Sequence, residues 1–409
     1  MLTLCGCASG NGFLPVRGRA LIISNIFFYL LVQLFYLQPR FMLGSNMNDR
    51  IDRLFDAVRE AVDVVILSPG ETMRYFTQLN MHKSERPTLV FLFRDRDPAM
   101  VLPQLETDRV KNTMRHVDLY TYSDATDPVA AAREAFSQLQ DTIPFSGPVG
   151  VEYRSTRLLE ESVFGSDRRQ LVDVERAVST VRSRKSEAEV ERIQKAVHIV
   201  ERVLEDVFQQ IEPGMREVDV ENEIRKRVID TEAERYGVGI VTSGERTAFA
   251  HANTGTRTIR SGEPLMIDAG VVYEGYYSDI TRTIAVGGLE PELREIYDVV
   301  YDAAAAARER IEPGVEFQEI DRAARAVIEN AGYGEYFPHR VGHGLGLEGH
   351  EPPYLVEGND NTLEAGHAVT VEPGIYVPGL GGVRIEDDVV VTDSGANVLT
   401  SAPRELRTF

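Results

Sequence analysis

The sequence predicts an α/β N-terminal domain followed by an α+β C-terminal domain built on an internal pseudo-twofold repeat. Three observations carry this reading. Short apolar runs alternate with helical stretches from residue 47 onward, the pattern of a layered α/β domain. Ile211-Glu212-Pro213-Gly214 returns as Ile311-Glu312-Pro313-Gly314, each copy following one amphipathic helix and preceding another. At 409 residues, 43% hydrophobic and 26% charged, the chain is long enough for two domains with cores of their own. The expected divisions are 1–46, 47–177 and 178–409.

The first 46 residues carry Arg17, Arg19 and Arg40 and no acidic residue. Leu21 to Leu37 is apolar apart from Ser24, Asn25 and Gln33. The segment reads either as a signal anchor of short membrane length or as a non-native start, since Met47 opens an acidic amphipathic stretch. Cys5 and Cys7, the two cysteines of the chain, both lie here. The folded body is therefore free of disulfides and suits a reducing compartment, the cytoplasm.

In the second segment, Ile51 to Val62 reads as a helix, and Val64 to Leu67, Thr88 to Phe93, Val117 to Tyr122 and Val149 to Tyr153 as strands. Pro128 to Leu139 is an alanine-rich helix. The segment has no glycine-rich phosphate loop and no histidine cluster. It is expected to shape a pocket or an oligomer contact rather than to carry a reaction.

The third segment opens on a capping box, Ser186-Glu187-Ala188-Glu189. Val190, Ile193, Val197, Val200, Leu204 and Phe208 then recur at helical steps. The repeat helices are expected at Val218 to Ile229 and Phe317 to Ile328. Five of twenty aligned positions are identical between the copies, Arg225 with Arg325 being the fifth. Five potential ligands follow: Asp268, Asp279, His343, Glu372 and Glu386. Asp268 and Glu372 are 104 residues apart, Asp279 and Glu386 107 apart, so the acids repeat with the helices.

Leu265 to Val272 and Tyr276 to Val286 are expected to form a hairpin on a Glu274-Gly275 turn. Pairing Tyr273 with Tyr276 sets Gly270 opposite Asp279, leaving the two aspartates diagonal on one face. Glu372 and Glu386 flank Pro378-Gly379-Leu380-Gly381-Gly382, and their even separation places both on one face of a second hairpin. Four carboxylates buried together repel unless cations neutralise them. Two divalent ions are the simplest solution, and ions so held make water a nucleophile at neutral pH. His343, between Gly342 and Gly344, is the expected imidazole ligand, with His251 and His350 as donors to substrate.

The formal charge is −20, from 64 acidic against 44 basic residues, only five of them lysine. Such a field repels nucleic acid and anionic lipid, and lysine depletion points to adaptation to high salt. No membrane partner is expected unless residues 21–37 are an anchor.

These residues resemble the pita-bread metallopeptidases, the family of methionine aminopeptidase, prolidase and aminopeptidase P. Asp268-x10-Asp279, Gly342-His343-Gly344-x-Gly346, Glu372-Pro373-Gly374 and Arg384-Ile385-Glu386-Asp387 match in order. So do His251-Ala252-Asn253 and the lead-in Arg184-Lys185-Ser186-x-x-Glu189. The resemblance covers about residues 47 to 409. It implies that Asp268 chelates one ion, that His343 and Glu372 bind the other, and that Asp279 and Glu386 bridge. It places His251 and His350 near the scissile bond, Glu372 as the proton relay and Arg384 behind the ligands.

The extra N-terminal domain points to the proline-specific branch, acting on a dipeptide or a longer proline-containing peptide. Manganese is the expected metal, with cobalt as the alternative, and a homodimer is implied through the N-terminal domain. The branch usually carries Val or Ile before His350, where this chain has Gly349. The rival readings are a metal-free peptide-binding scaffold of the same fold and another aminopeptidase of the family.

Overall fold

The computed structural model describes residues 44–58, 62–125, 127–165 and 170–409. Cys5, Cys7 and the Leu21 to Leu37 run lie outside the described residues. Among the described residues, no helix is long and apolar enough to cross a membrane.

Helix α1 (Gly44–Ala57) leads to β1 (Val64–Leu67), α2 (Glu71–Thr77), β2 (Leu89–Leu92), β3 (Ala99–Pro103), α3 (Thr107–Thr113) and β4 (Asp118–Tyr122). Helix α4 (Pro128–Thr142), β5 (Val149–Val151), α5 (Leu158–Phe164) and β6 (Leu171–Asp173) complete the N-terminal domain. Its six strands form one mixed sheet in the order β4-β3-β2-β1-β5-β6.

The sequence places the first helix over Ile51–Val62, whereas the structure ends it at Ala57. Asp63 already belongs to the sheet side: its N–H donates to the Pro148 carbonyl at 3.0 Å, and its carboxylate accepts from Gly147 N–H at 2.6 Å. Helix α4 starts as its sequence indicates. The Asp127 carboxylate accepts from the N–H groups of Val129 and Ala130, and Pro128 takes the first helical position.

Helix α6 (Glu175–Ser183) leads to α7 (Glu187–Phe208), α8 (Glu217–Ile229), β7 (Arg235–Ser243), β8 (Glu263–Tyr273), β9 (Tyr276–Tyr277) and β10 (Ile280–Val286). The plan then recurs as α9 (Pro291–Glu309), α10 (Phe317–Asn330), β11 (Gly342–Gly344), β12 (Glu351–Leu355) and β13 (Ala368–Val371). It closes with β14 (Gly374–Val377), β15 (Gly381–Arg384), β16 (Asp387–Thr392) and β17 (Gly395–Val398). The first half forms a sheet ordered β10-β8-β7; the second forms β12-β11-β13-β16-β17 with a separate β14-β15 pair.

Each half has its own core. Val200, Leu204 and Phe208 of α7 pack with Ile224 of α8 and with Leu265, Ile267 and Ala269 of β8. Ile296, Val300 and Ala304 of α9 pack with Ile320 and Ala324 of α10 and with Val369 and Val371 of β13. Side chains alternate along a strand. Seating Ile267 and Ala269 against the helices therefore turns Asp268 to the opposite face, and seating Val369 and Val371 does the same for Thr370 and Glu372. The apolar periodicity that builds the cores also aims the acids.

At the start of α7, the Glu189 carboxylate accepts from Ser186 N–H at 2.9 Å and Ser186 Oγ at 2.7 Å. Its other oxygen accepts from Tyr276 Oη at 2.7 Å and pairs with Arg50 at 3.2 Å. Ser186→Ala removes one arm of this cap, and urea unfolding is expected to show a loss of about 1 kcal/mol.

Candidate metal centre

The first acid pair rests on a tight turn. Glu274 and Gly275 both have positive φ, 47° and 92°, the two-residue geometry that suits the twist of a hairpin. Val272 pairs with Tyr277 and Asp268 with Thr281, in one unbroken register. The predicted continuous strand Tyr276 to Val286 is instead broken at Ser278-Asp279. There the Asp279 N–H leaves the ladder and donates to Asp388 Oδ2 at 3.0 Å. Gly270 is required opposite this break, because a Cβ would collide with the Ser278 carbonyl.

The second pair is more symmetric. Val371 pairs with Asp387 and Gly374 with Arg384, and the shared register sets Glu372 across from Glu386. His343 comes in on β11. A Cβ at Gly342 or Gly344 would strike the Thr370 or Pro352 carbonyl, so glycine on either side is a packing requirement.

All five side chains converge. Donor atoms of Asp268, Asp279 and Glu386 lie within 4.8 Å of one another, as do those of His343, Glu372 and Glu386. A third such group joins Asp279 and His343 to His350. His343 Nε2 is 3.2 Å from Glu372 Oε1 and 4.0 Å from Asp279 Oδ2. Its Nδ1 is 3.0 Å from the Gly344 carbonyl oxygen, which suits an Nδ1 proton and would leave Nε2 to face a bound ion.

The electrostatics fit a cation. Asp268 Oδ1 and Asp279 Oδ1 are buried with no hydrogen-bond partner. Burial, then the neighbouring acids, push the Asp279 and Glu386 carboxyls well above the usual range. Burial raises Asp268 too, against the opposing charge of Arg384. Burial alone would raise Glu372 as well, but its hydrogen bond to His343 and their attraction bring it down to about 2. Lone pairs aimed inward, with no donor to meet them, are what positive ions satisfy.

Arg384 braces the acids from behind. It donates to Asp268 Oδ2 at 2.7 Å, Thr281 Oγ1 at 3.0 Å, Tyr376 Oη at 3.1 Å and the Ala250 carbonyl at 3.2 Å. Thr281 Oγ1 in turn donates to Glu386 Oε2 at 2.6 Å. Sequence reasoning missed Thr281, Tyr376 and Asp388. Thr281 was signalled only by its place two residues after Asp279, and Tyr376 by nothing local.

His251 and His350 both reach the cavity of about 470 Å³ that the five ligands line. Both are exposed at its mouth. The His350 ring stacks on that of His343, centroids 3.8 Å apart. Glycine at 349 is not sterically demanded, since a Cβ would meet only the Tyr277 ring, at 3.4 Å. Glu351, directly after His350, anchors the segment: it is buried and pairs with Lys185 and Arg182, both at 2.6 Å. His339, next to Arg340, lies 2.9 Å from Tyr376 Oη.

The profile of metallopeptidase family M24 matches residues 191–393. An uncharacterized peptidase of Staphylococcus aureus is 33% identical over 358 residues, covering 86% of this chain and 98% of the relative. The chain belongs to metallopeptidase family M24. Ahead of the catalytic domain, residues 50–184 match the creatinase/prolidase N-terminal domain. A solved Xaa-Pro dipeptidase from Bacillus anthracis superposes with TM-score 0.82 at 32% identity, covering 89% of this chain and all of that one. An X-Pro aminopeptidase from Thermotoga maritima superposes with TM-score 0.77 at 28% identity, covering 88% and 99%. A creatinase/prolidase-like domain ahead of a pita-bread catalytic domain is thus the fold of this M24 metallopeptidase.

Proposed function

We propose that this M24 peptidase hydrolyses the Xaa-Pro peptide bond, using two divalent ions held by Asp268, Asp279, His343, Glu372 and Glu386. The convergence of all five donors around buried, partnerless carboxylate oxygens carries the reading. Its likeness to an Xaa-Pro dipeptidase and an X-Pro aminopeptidase supports the choice of bond. A metal-free scaffold would have lost some of these donors, and none is lost.

When bound, the ions neutralise the acids, polarise the scissile carbonyl and make water a nucleophile at neutral pH. The protein supplies the rest. Glu372, beside His343, takes the proton of the attacking water and passes it to the departing proline nitrogen. His251 and His350, at the mouth of the cavity, offer ring N–H donors to the carbonyl oxygen as charge builds there. Arg384 keeps Asp268 and, through Thr281, Glu386 in place. It is a positioning residue.

Hard carboxylate oxygens with a single imidazole favour manganese, then cobalt. The charge of −20 with five lysines supports a protein built for high salt. A cytoplasmic homodimer, paired through the N-terminal domain, and a domain junction at residues 177 and 178 complete the proposal.

The test uses manganese-loaded protein in high salt. It compares proline release from an Xaa-Pro dipeptide with removal of the first residue from a longer Xaa-Pro peptide. At least one is expected to be cleaved, and cleavage of neither would contradict the proposal.

A further inference from the structure

We propose that Arg182 is a positioning residue for His350, so that the N-terminal domain helps to set the histidine at the mouth of the metal centre. This rests on the reading that His350 assists a reaction at the five-ligand centre.

His350 ends the loop of residues 345–350 between β11 and β12. Its ring stacks on His343, a contact that does not by itself fix the backbone that carries it. Gly349, just before it, brings no side chain, and a Cβ there would meet only the Tyr277 ring. The segment is therefore held from its other side, at Glu351.

The Glu351 carboxylate turns back under the loop. Its Oε2 accepts from the Glu348 N–H at 3.3 Å, and a Cβ at Gly346 would run into its Oε1 at 2.7 Å, so the loop closes tightly over the acid. Lys185 Nζ donates to Oε1 and Arg182 Nη2 to Oε2, both at 2.6 Å, and all three side chains are buried. Burial works against the charge of Glu351, but Lys185 and Arg182 outweigh it and hold the carboxyl below its ordinary range.

Arg182 is the member that reaches the N-terminal domain. It lies on α6, the helix that leads from the N-terminal sheet to α7. Its Nη1 donates to Thr72 Oγ1 of α2 at 3.0 Å, while Nη2 also donates to Glu348 Oε2 at 2.7 Å. Thr72 Oγ1 in turn donates to Glu152 Oε1 at 2.8 Å, and Tyr75 Oη, on the same helix, to the Val181 carbonyl at 3.2 Å. A hydrogen-bonded chain of Glu152, Thr72, Arg182 and Glu351 thus runs from the end of β5 to the residue after His350. Lys185 alone can neutralise Glu351. What Arg182 adds is direction, because one planar guanidinium meets the N-terminal domain and both acids of the loop.

The test measures kcat and KM of the manganese-loaded protein for an Xaa-Pro peptide. Arg182→Gln is expected to lower kcat about 10-fold, with KM and manganese content close to the parent's, because a donor to the developing charge is misplaced while the ions stay. The fold is expected to survive, since Lys185 still pairs with Glu351 and the Glu348 side chain is 49% exposed. His350→Ala is expected to cost about 100-fold. Adding Arg182→Gln to it should cost little more, because the arginine acts through that ring. Thr72→Val, which removes only the N-terminal partner, is expected to lower kcat by a smaller factor, and it carries the test if Arg182→Gln fails to fold. An unchanged kcat in either variant overturns the proposal. So does a loss that multiplies with that of His350→Ala or that follows lost manganese. Crystals of the variants read the position without turnover: the His350 ring is expected to leave its place over His343 while Asp279 and Glu372 stay, and a ring still stacked overturns the proposal. If no Xaa-Pro peptide is cleaved but the ring moves in this way, the proline reading fails and the positioning role stands.

Discussion

Glu386→Gln is expected to lower peptide hydrolysis by about three orders of magnitude, equivalent to about 4 kcal/mol of transition-state stabilisation. The substitution exchanges one carboxylate oxygen for an amide N–H at a point where positive charge is to be held. The fold is expected to survive. Burial and the adjacent acids already push the Glu386 carboxyl well above its usual range, so without metal the native residue is itself inclined to the neutral form. Glutamine copies that form in size and charge, and its amide oxygen can still accept from Thr281. Circular dichroism of the variant should match the parent, and so should its thermal unfolding at pH 5 when both are in chelator, while activity and manganese content fall. Unchanged turnover would reject the assignment of Glu386.

Chelation is expected to lower stability, and the loss should grow with pH. Asp268, Asp279 and Glu386 have folded values above the ordinary carboxyl range. A raised carboxyl holds its proton more tightly folded than unfolded. Its stabilisation is therefore complete below the unfolded value, about 4, and is lost as pH rises through the folded value. Glu372 has the opposite sign: lowered to about 2, it favours the fold above pH 4 and loses that contribution in acid. Three raised groups outweigh one lowered one.

Each raised group removes at most about 1.4 kcal/mol per pH unit over the window where it titrates. The chelated protein is thus expected to melt several degrees lower at pH 8 than at pH 5, at roughly 2–4 °C per kcal/mol. Added manganese should abolish the slope. Melting curves with and without chelator across this range check it, and a chelated protein as stable at pH 8 as at pH 5 would contradict it.

Most of the site was legible because strand periodicity fixes both the cores and the acids. Leu265, Ile267 and Ala269 had to face a helix pair, which sent Asp268 the other way, and the Glu274-Gly275 turn set the register that brought Asp279 beside it. The even spacing of Glu372 and Glu386 around a glycine-rich turn did the same for the second pair.

What escaped depends on tertiary contacts. The break at Ser278-Asp279 exists because Asp388, over a hundred residues away, takes the Asp279 N–H. Tyr376 joins Arg384 to His339 only in three dimensions. The N-terminal strands β3 and β6 were missed for local reasons. The first lies between Pro98 and its own terminal Pro103, and the second is three residues long. The stack of His350 on His343 leaves no trace in spacing, because a loop rather than a regular element delivers it.

The account depends on divalent ions sharing the space between two hairpins. Anomalous scattering from crystals soaked in manganese reads this directly. Two peaks are expected inside the cavity, one nearer Asp268, the other nearer His343 and Glu372, with Asp279 and Glu386 between them. A map with no anomalous peak among these five side chains would contradict it.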